Sequence, residues 1–197
     1  MNSLEESVSQ LFALVSEALS RATSALLNHD AALGQSVITA DAAIDDRTVE
    51  VERGIWHQID LQQPDSKELR HLVRILQILP ELERSADLAE HIAQRSLTNI
   101  GSEMTPSSRG IVQRMSEVVL EMWETAAEAF ADGSRCGVEL GDDDEELDIL
   151  HERLTTEVAT GSMPARIAAQ VTLLARFYER LGDHAVNLGR RLQALES

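Results

Sequence analysis

Six segments of the chain space their apolar residues in steps of three and four, and no stretch of useful length alternates in steps of two. This periodicity puts each apolar set on one stripe of an α-helix and excludes a sheet. The first segment carries Leu4, Val8, Leu11, Phe12, Val15, Leu19, Ala22 and Leu26. Asn28, His29 and Asp30 break it and can cap a second helix, roughly Ala31 to Leu61, with Val37, Ile44, Val51, Ile55 and Ile59 on its stripe. QQPDSKE makes a turn, and a third helix runs to about Ile100 through Leu72, Ile75, Leu79, Leu82, Leu88 and Ile92. Pro80 lies inside it, which predicts a kink near Leu76 to Pro80.

The plan then restarts. GSEMTPSSRG, Gly101 to Gly110, reads as a linker. Ile111, Met115, Val118, Val119, Met122, Ala126 and Phe130 mark a fourth helix. A fifth is expected to begin near Asp142, where an acidic first turn suits the helix dipole. TGSMPAR turns the chain into a sixth helix marked by Ile167, Val171, Leu174, Leu181, Leu188, Leu192 and Leu195. The expectation is an all-α protein of two tandem three-helix bundles, residues 1–100 and 111–197, joined by a linker at 101–110.

The two halves hold register. An offset of 96 aligns ERSAD, Glu83 to Asp87, with ERLGD, Glu179 to Asp183. One helix earlier, an offset of 103 aligns Asp41 and Asp45 with Asp144 and Asp148. Acid-x-x-x-acid therefore recurs four times, on the second and third helix of each half. Positions i and i+4 lie about 6 Å apart on one helix face, and like charges there cost a bare helix a few tenths of a kcal/mol. Two facing helices with such pairs could offer four carboxylates to a hard cation. Such pairs alone are weak evidence: 34 acids scattered at random over 197 residues would give roughly six. It is recurrence in register that singles out Glu83, Asp87, Glu179 and Asp183, with Asp41, Asp45, Asp144 and Asp148 beside them. Their donors admit iron, zinc, manganese or magnesium. The bland reading of each pair is a solvated helix face. For Arg84 and Arg180 it is a surface arginine, and for His91 and His184 an ordinary core or surface histidine.

Composition narrows the partners. A formal charge of −17 repels phosphate backbones, which argues against nucleic acid. Cys136 stands alone, so no intrachain disulfide can form and a reducing compartment is expected. No apolar run approaches the ~20 residues of a membrane helix, and the acidic N-terminus lacks the order of a signal peptide. The expected location is the cytoplasm, without direct membrane insertion.

ELERSADLAEHIAQR and FYERLGDHAVNLGRR resemble the two signature helices of the PhoU family, and AIDDRTVEVE and ELDILHERL resemble the helices that precede them. The first signature departs from the family pattern at Ser85 and Ala86, where an apolar residue and Gly are usual. The resemblance implies metal clusters held by Glu83 and Asp87 with Asp41 and Asp45, and by Glu179 and Asp183 with Asp144 and Asp148. It implies a non-enzymatic negative regulator of phosphate transport and phosphate-starvation signalling. The partners it implies are a phosphate ABC transporter and a sensor histidine kinase, with the chain a homodimer. Two alternatives remain from the residues themselves. One is a metal-free helical interaction module. The other is a di-metal carboxylate enzyme, which normally needs Glu-x-x-His on two helices; Asp148-x-x-His151 is the nearest approach and has no counterpart in the other half.

Overall fold

The computed structural model describes residues 2–98 and 100–193; Leu195 lies outside them. The chain forms α1 (Asn2–Asn28), α2 (Ala31–Gln62), α3 (Ser66–Ser96), a one-turn α4 (Ile100–Glu103), α5 (Pro106–Asp132), α6 (Gly137–Thr160) and α7 (Ala165–Gln193). The described residues include no strand. α1, α2 and α3 pack on one another, as do α5, α6 and α7, and the two sets meet through α1 on α5 and α3 on α7.

The apolar stripes do what their spacing requires. Leu11, Leu19 and Leu26 of α1, Ile75 and Leu82 of α3, Met115 and Met122 of α5, and Leu174 and Leu181 of α7 are all fully buried in one continuous core. With few aromatics available, Trp123 and Tyr178 are the largest fully buried side chains. Trp123 Nε1 donates to the Leu181 carbonyl at 3.3 Å. The Tyr178 hydroxyl pairs with Thr23 at 2.7 Å, and Ser116 donates to Thr23 at 2.9 Å, so a hydroxyl from each of α1, α5 and α7 is satisfied where the halves meet.

Caps explain the helix ends. Asp30 accepts from the Leu33 N–H, with His29 in a left-handed conformation before it. Asp65 and Glu68 form a capping box at the start of α3. α3 ends at Ser96, short of the expected Ile100, because the Arg95 carbonyl is closed by the backbone N–H and the hydroxyl of Thr98. α6 begins at Gly137, earlier than the expected Asp142, so Glu139 rather than the Asp142–Asp144 run occupies its first turn. Its N-cap Cys136 makes no side-chain cap. Turned with its amide oxygen inward, Gln193 of α7 accepts from the Cys136 and Gly137 N–H groups at 3.1 and 3.0 Å and supplies the cap from outside. The segment 101–110 holds most of α4 and the first turn of α5, where Thr105 caps and Pro106 takes the first helical position.

Pro80 sits on the exposed side of α3, and the helix runs through it without a break. Proline cannot donate, and its ring crowds the carbonyls of the preceding turn. One of these, Gln77, accepts from Arg191 Nη1 of α7. Arg191 Nη2 pairs with Glu81 at 2.9 Å, a carboxylate only 3% exposed. Ser85 donates to the Glu81 backbone carbonyl and pairs with His184 Nδ1 at 2.8 Å, while His184 Nε2 faces the Glu81 carboxylate at 3.9 Å. The seam between α3 and α7 thus carries a buried polar network. Ser85, one of the two departures from the family pattern, belongs to it.

Candidate metal centre

The acid pairs lie on the side of α2 turned toward α3 and on the side of α3 turned toward α2. The structure brings Asp41, Asp45 and Asp87 together, with one carboxylate oxygen from each within 4.8 Å of the others. They are the one such trio among the described residues. Glu83 stands close enough for its charge to act on Asp41 but outside that trio.

Asp41 shows the electrostatic state of the cluster. Its carboxyl is pushed up to about 6, first by partial burial and then by the charges of Asp45, Glu90, Asp87 and Glu83. The largest influences on it all push in the same direction. Glu90 was not among the acids that the sequence marks. It lies three residues after Asp87 and meets Asp41 across the helix pair, so the i, i+4 rule does not find it. Its Oε1 also accepts from Gln94 at 3.0 Å.

The second half brings Asp144, Asp148, Asp183 and Glu179 into the same neighbourhood. Burial raises the Asp144 carboxyl, and Asp148 and Asp183 raise it further, but Arg190 pulls it back. Burial likewise raises Glu179, with Asp183 and Asp148 adding to it while Arg176 and His151 oppose it. Arg176 holds one Glu179 oxygen at 2.5 Å, and the other oxygen is buried without a partner. Gly182 lets α6 approach this site: a Cβ there would sit 2.4 Å from Leu147 Cδ2 and 3.6 Å from Asp144 Oδ1. Its counterpart in the first half is the buried Ala86.

The other polar residues of the signature helices serve elsewhere. His184 is held in the α3–α7 seam, with its titration pushed down by burial. His91 stacks on Phe177 at 5.5 Å between ring centroids. Arg84 and Arg180 are exposed, and both lie near enough to His184 to oppose its protonation.

A duplicated helical scaffold that sets four acids on the facing sides of two helices in each half defines the class. A model of the PhoU domain matches residues 8–96 and 112–192, the two halves just described. The chain belongs to the PhoU family. It is 30% identical over 196 residues to the phosphate-specific transport system accessory protein PhoU homolog 2 of Mycobacterium tuberculosis, covering 98% of this chain and 92% of that one. Its fold matches the crystal structure of PhoU from Pseudomonas aeruginosa with a TM-score of 0.89 at 22% identity, over 97% of this chain and 94% of that one. The phosphate transport system regulatory protein PhoU from Streptococcus pneumoniae matches with a TM-score of 0.86 at 24% identity, over 100% and 94%. No helix among the described residues is long and apolar enough to cross a membrane.

Proposed function

We propose that this chain is a non-enzymatic, metal-binding accessory protein that restrains phosphate transport and phosphate-starvation signalling. It acts by contact with a phosphate ABC transporter and a sensor histidine kinase, from the cytoplasm. Membership of the PhoU family and relatives named as accessory proteins of phosphate-specific transport support the role. The observation that carries the metal reading is Asp41: a half-buried carboxyl pushed up by four others is a site that a cation would relieve. Asp41, Asp45 and Asp87 would hold the ion, with Glu83 and Glu90 next to them. Asp144, Asp148, Glu179 and Asp183 form the counterpart set. An all-carboxylate donor set suits a hard cation and accepts iron, zinc, manganese or magnesium. The ion would pin α2 to α3 and α6 to α7, where like charges otherwise push them apart, and so fix the shape offered to partners.

Two measurements test this. Metal content of the untagged protein, prepared without chelator, is compared with a variant in which Glu83, Asp87, Glu179 and Asp183 are Ala. Stoichiometric metal that disappears in the variant is expected; trace metal in both removes the metal sites. Deleting the gene should derepress the phosphate-starvation response under phosphate-replete conditions, and an unchanged response rejects the regulatory role.

A further inference from the structure

Nine large apolar side chains are exposed among the described residues, and five of them fall between residues 49 and 73, at the closed end of the α2–α3 hairpin. Val49 and Trp56 of α2 are each 50% exposed, with Leu69 and Val73 of α3 nearby in register. The four share a face. Asp45, Val49 and Trp56 follow steps of four and seven along α2, and Asp87, Glu83, Val73 and Leu69 follow one side of α3. Because Asp41 and Asp45 meet Asp87 across the helix pair, the same sides of both helices also bring these apolar residues to one outer surface. It begins at Val49, about 6 Å along α2 from Asp45 at 1.5 Å rise per residue.

The second half shows that the fold does not need them. In the register of the repeat, Val49, Trp56, Leu69 and Val73 correspond to Glu152, Ala159, Ala165 and Ala169. The second hairpin is also shorter: α6 ends at the counterpart of His57, and α7 starts at the counterpart of Leu69. Only the first hairpin projects, and only it is armed with a half-exposed tryptophan, a side chain that protein interfaces favour.

We propose that this face docks a segment of another protein that carries apolar residues followed along its length by Arg or Lys. The apolar part covers Val49, Trp56, Leu69 and Val73, and the basic part meets Asp41, Asp45, Glu83 and Asp87. Charge complementarity selects this occupant. Five carboxylates gather here, and they stay net negative even around a divalent ion. A second copy brings another −17 surface to the same face, and an anionic membrane is repelled in the same way. The inference rests on the reading of the chain as a protein that acts by contact.

The test places a photo-crosslinking p-benzoylphenylalanine at position 49, 56, 69 or 73 of the full chain in its own cells. Matched controls carry it at 152, 159, 165 or 169. The cross-linked peptide is sequenced. One segment with apolar residues and at least two Arg or Lys, captured from the first hairpin and not the second, is expected. Capture of a second copy, of lipid, of a segment without basic residues, of the same material from both hairpins, or of nothing overturns the proposal. A synthetic peptide of the captured segment is then added to the purified full chain. Trp56 emission should shift to the blue, while Trp123 is already fully buried. With both proteins chelator-treated, the Asp41→Asn/Asp87→Asn variant should bind at least tenfold more weakly than the unchanged chain; no shift, or equal affinity, overturns the proposal. The regulatory role fails by a different result, an unchanged starvation response on deletion, so the two failures are separable.

Discussion

The two acid clusters share a backbone plan and differ in charge. Each places two i, i+4 pairs on facing helices. Around the second, the repeat sets Arg176, Arg190 and His151; at the corresponding positions the first has Pro80, Gln94 and Thr48. In the other direction, Glu90 of the first corresponds to Val186 of the second. Two of the second cluster's carboxyls have cations among their leading influences, whereas the leading influences on Asp41 are burial and four acids, all pushing it up. Duplication kept the spacing that aims carboxylates at one point and let the compensation diverge. The first cluster should therefore be the tighter cation site, and the second a weaker one partly satisfied from within.

The largest expected effect breaks that comparison outright. Asp41→Asn with Asp87→Asn removes two of the three converging oxygens. It should lower Mn²⁺ affinity at the tighter site by about 100-fold or more, on the scale of 10–100-fold for disturbing even an outer-shell partner. Asp144→Asn with Asp183→Asn should leave the tighter of two binding phases in place. Calorimetric titration of the purified protein with Mn²⁺ reads both, and the reverse ranking would show that the arginines of the second half do not compete with metal.

A second contrast lies at the α3–α7 seam, and stability reads it. Arg191 of α7 pairs with Glu81 of α3, and the matching position, Arg95 of α3, lies over the Phe177 ring of α7 at 4.7 Å. One end of the seam is an ion pair on a buried acid and the other a cation–π contact. Arg191→Met strands Glu81 and frees the Gln77 carbonyl, at about 2 kcal/mol, below the 3–5 of a fully buried pair because Arg191 is 40% exposed. Arg95→Met should cost under about 1 kcal/mol. Urea unfolding compares the two, and equal losses would mean that Glu81 is solvated when its arginine is gone.

Transplanting a cation sharpens the first comparison. Gln94→Arg copies Arg190 into the first half. It should lower metal affinity there by about tenfold, as expected for one exposed charge at a few ångströms, and the loss should shrink in high salt. Arg190→Gln should do the reverse at the second cluster. A salt-independent change would point to altered packing instead of charge.

Much of this was readable before the fold. The apolar stripes located the long helices because a step of 3.6 buries one face whatever the partner. The acid pairs stood out because the repeat put them in register. What escaped depends on residues distant in sequence. α6 begins where Gln193, more than fifty residues away, satisfies its first backbone groups. Nothing near Glu81 marks it as buried, since Arg191 lies 110 residues on. Glu90 joins the first cluster only across helices.

The smallest effect isolates the strain in the metal-free first cluster. The Asp41 carboxyl is held at about 6 against an ordinary 3.8. The folded state therefore takes up a proton more readily than the unfolded chain does. Ionising Asp41 opposes folding fully above about pH 6, and the opposition fades as pH falls through that range, ending only below the ordinary 3.8 where both states are protonated. Asn imitates the protonated carboxyl at every pH. Asp41→Asn should thus stabilise the chelator-treated protein at pH 7.5 by about 1 kcal/mol, reduced from the full shift because the group is more than half solvated. At pH 4 most of the gain should be gone. Asp144→Asn should gain less, because Arg190 already draws that carboxyl back. Thermal melts of both variants at the two pH values decide this. Added Mn²⁺ should reverse the sign for Asp41→Asn, since the repulsion that the substitution relieves is what binds the ion. A gain undiminished at pH 4, or one that metal does not reverse, would place the benefit in helix propensity and remove the electrostatic distinction between the two halves.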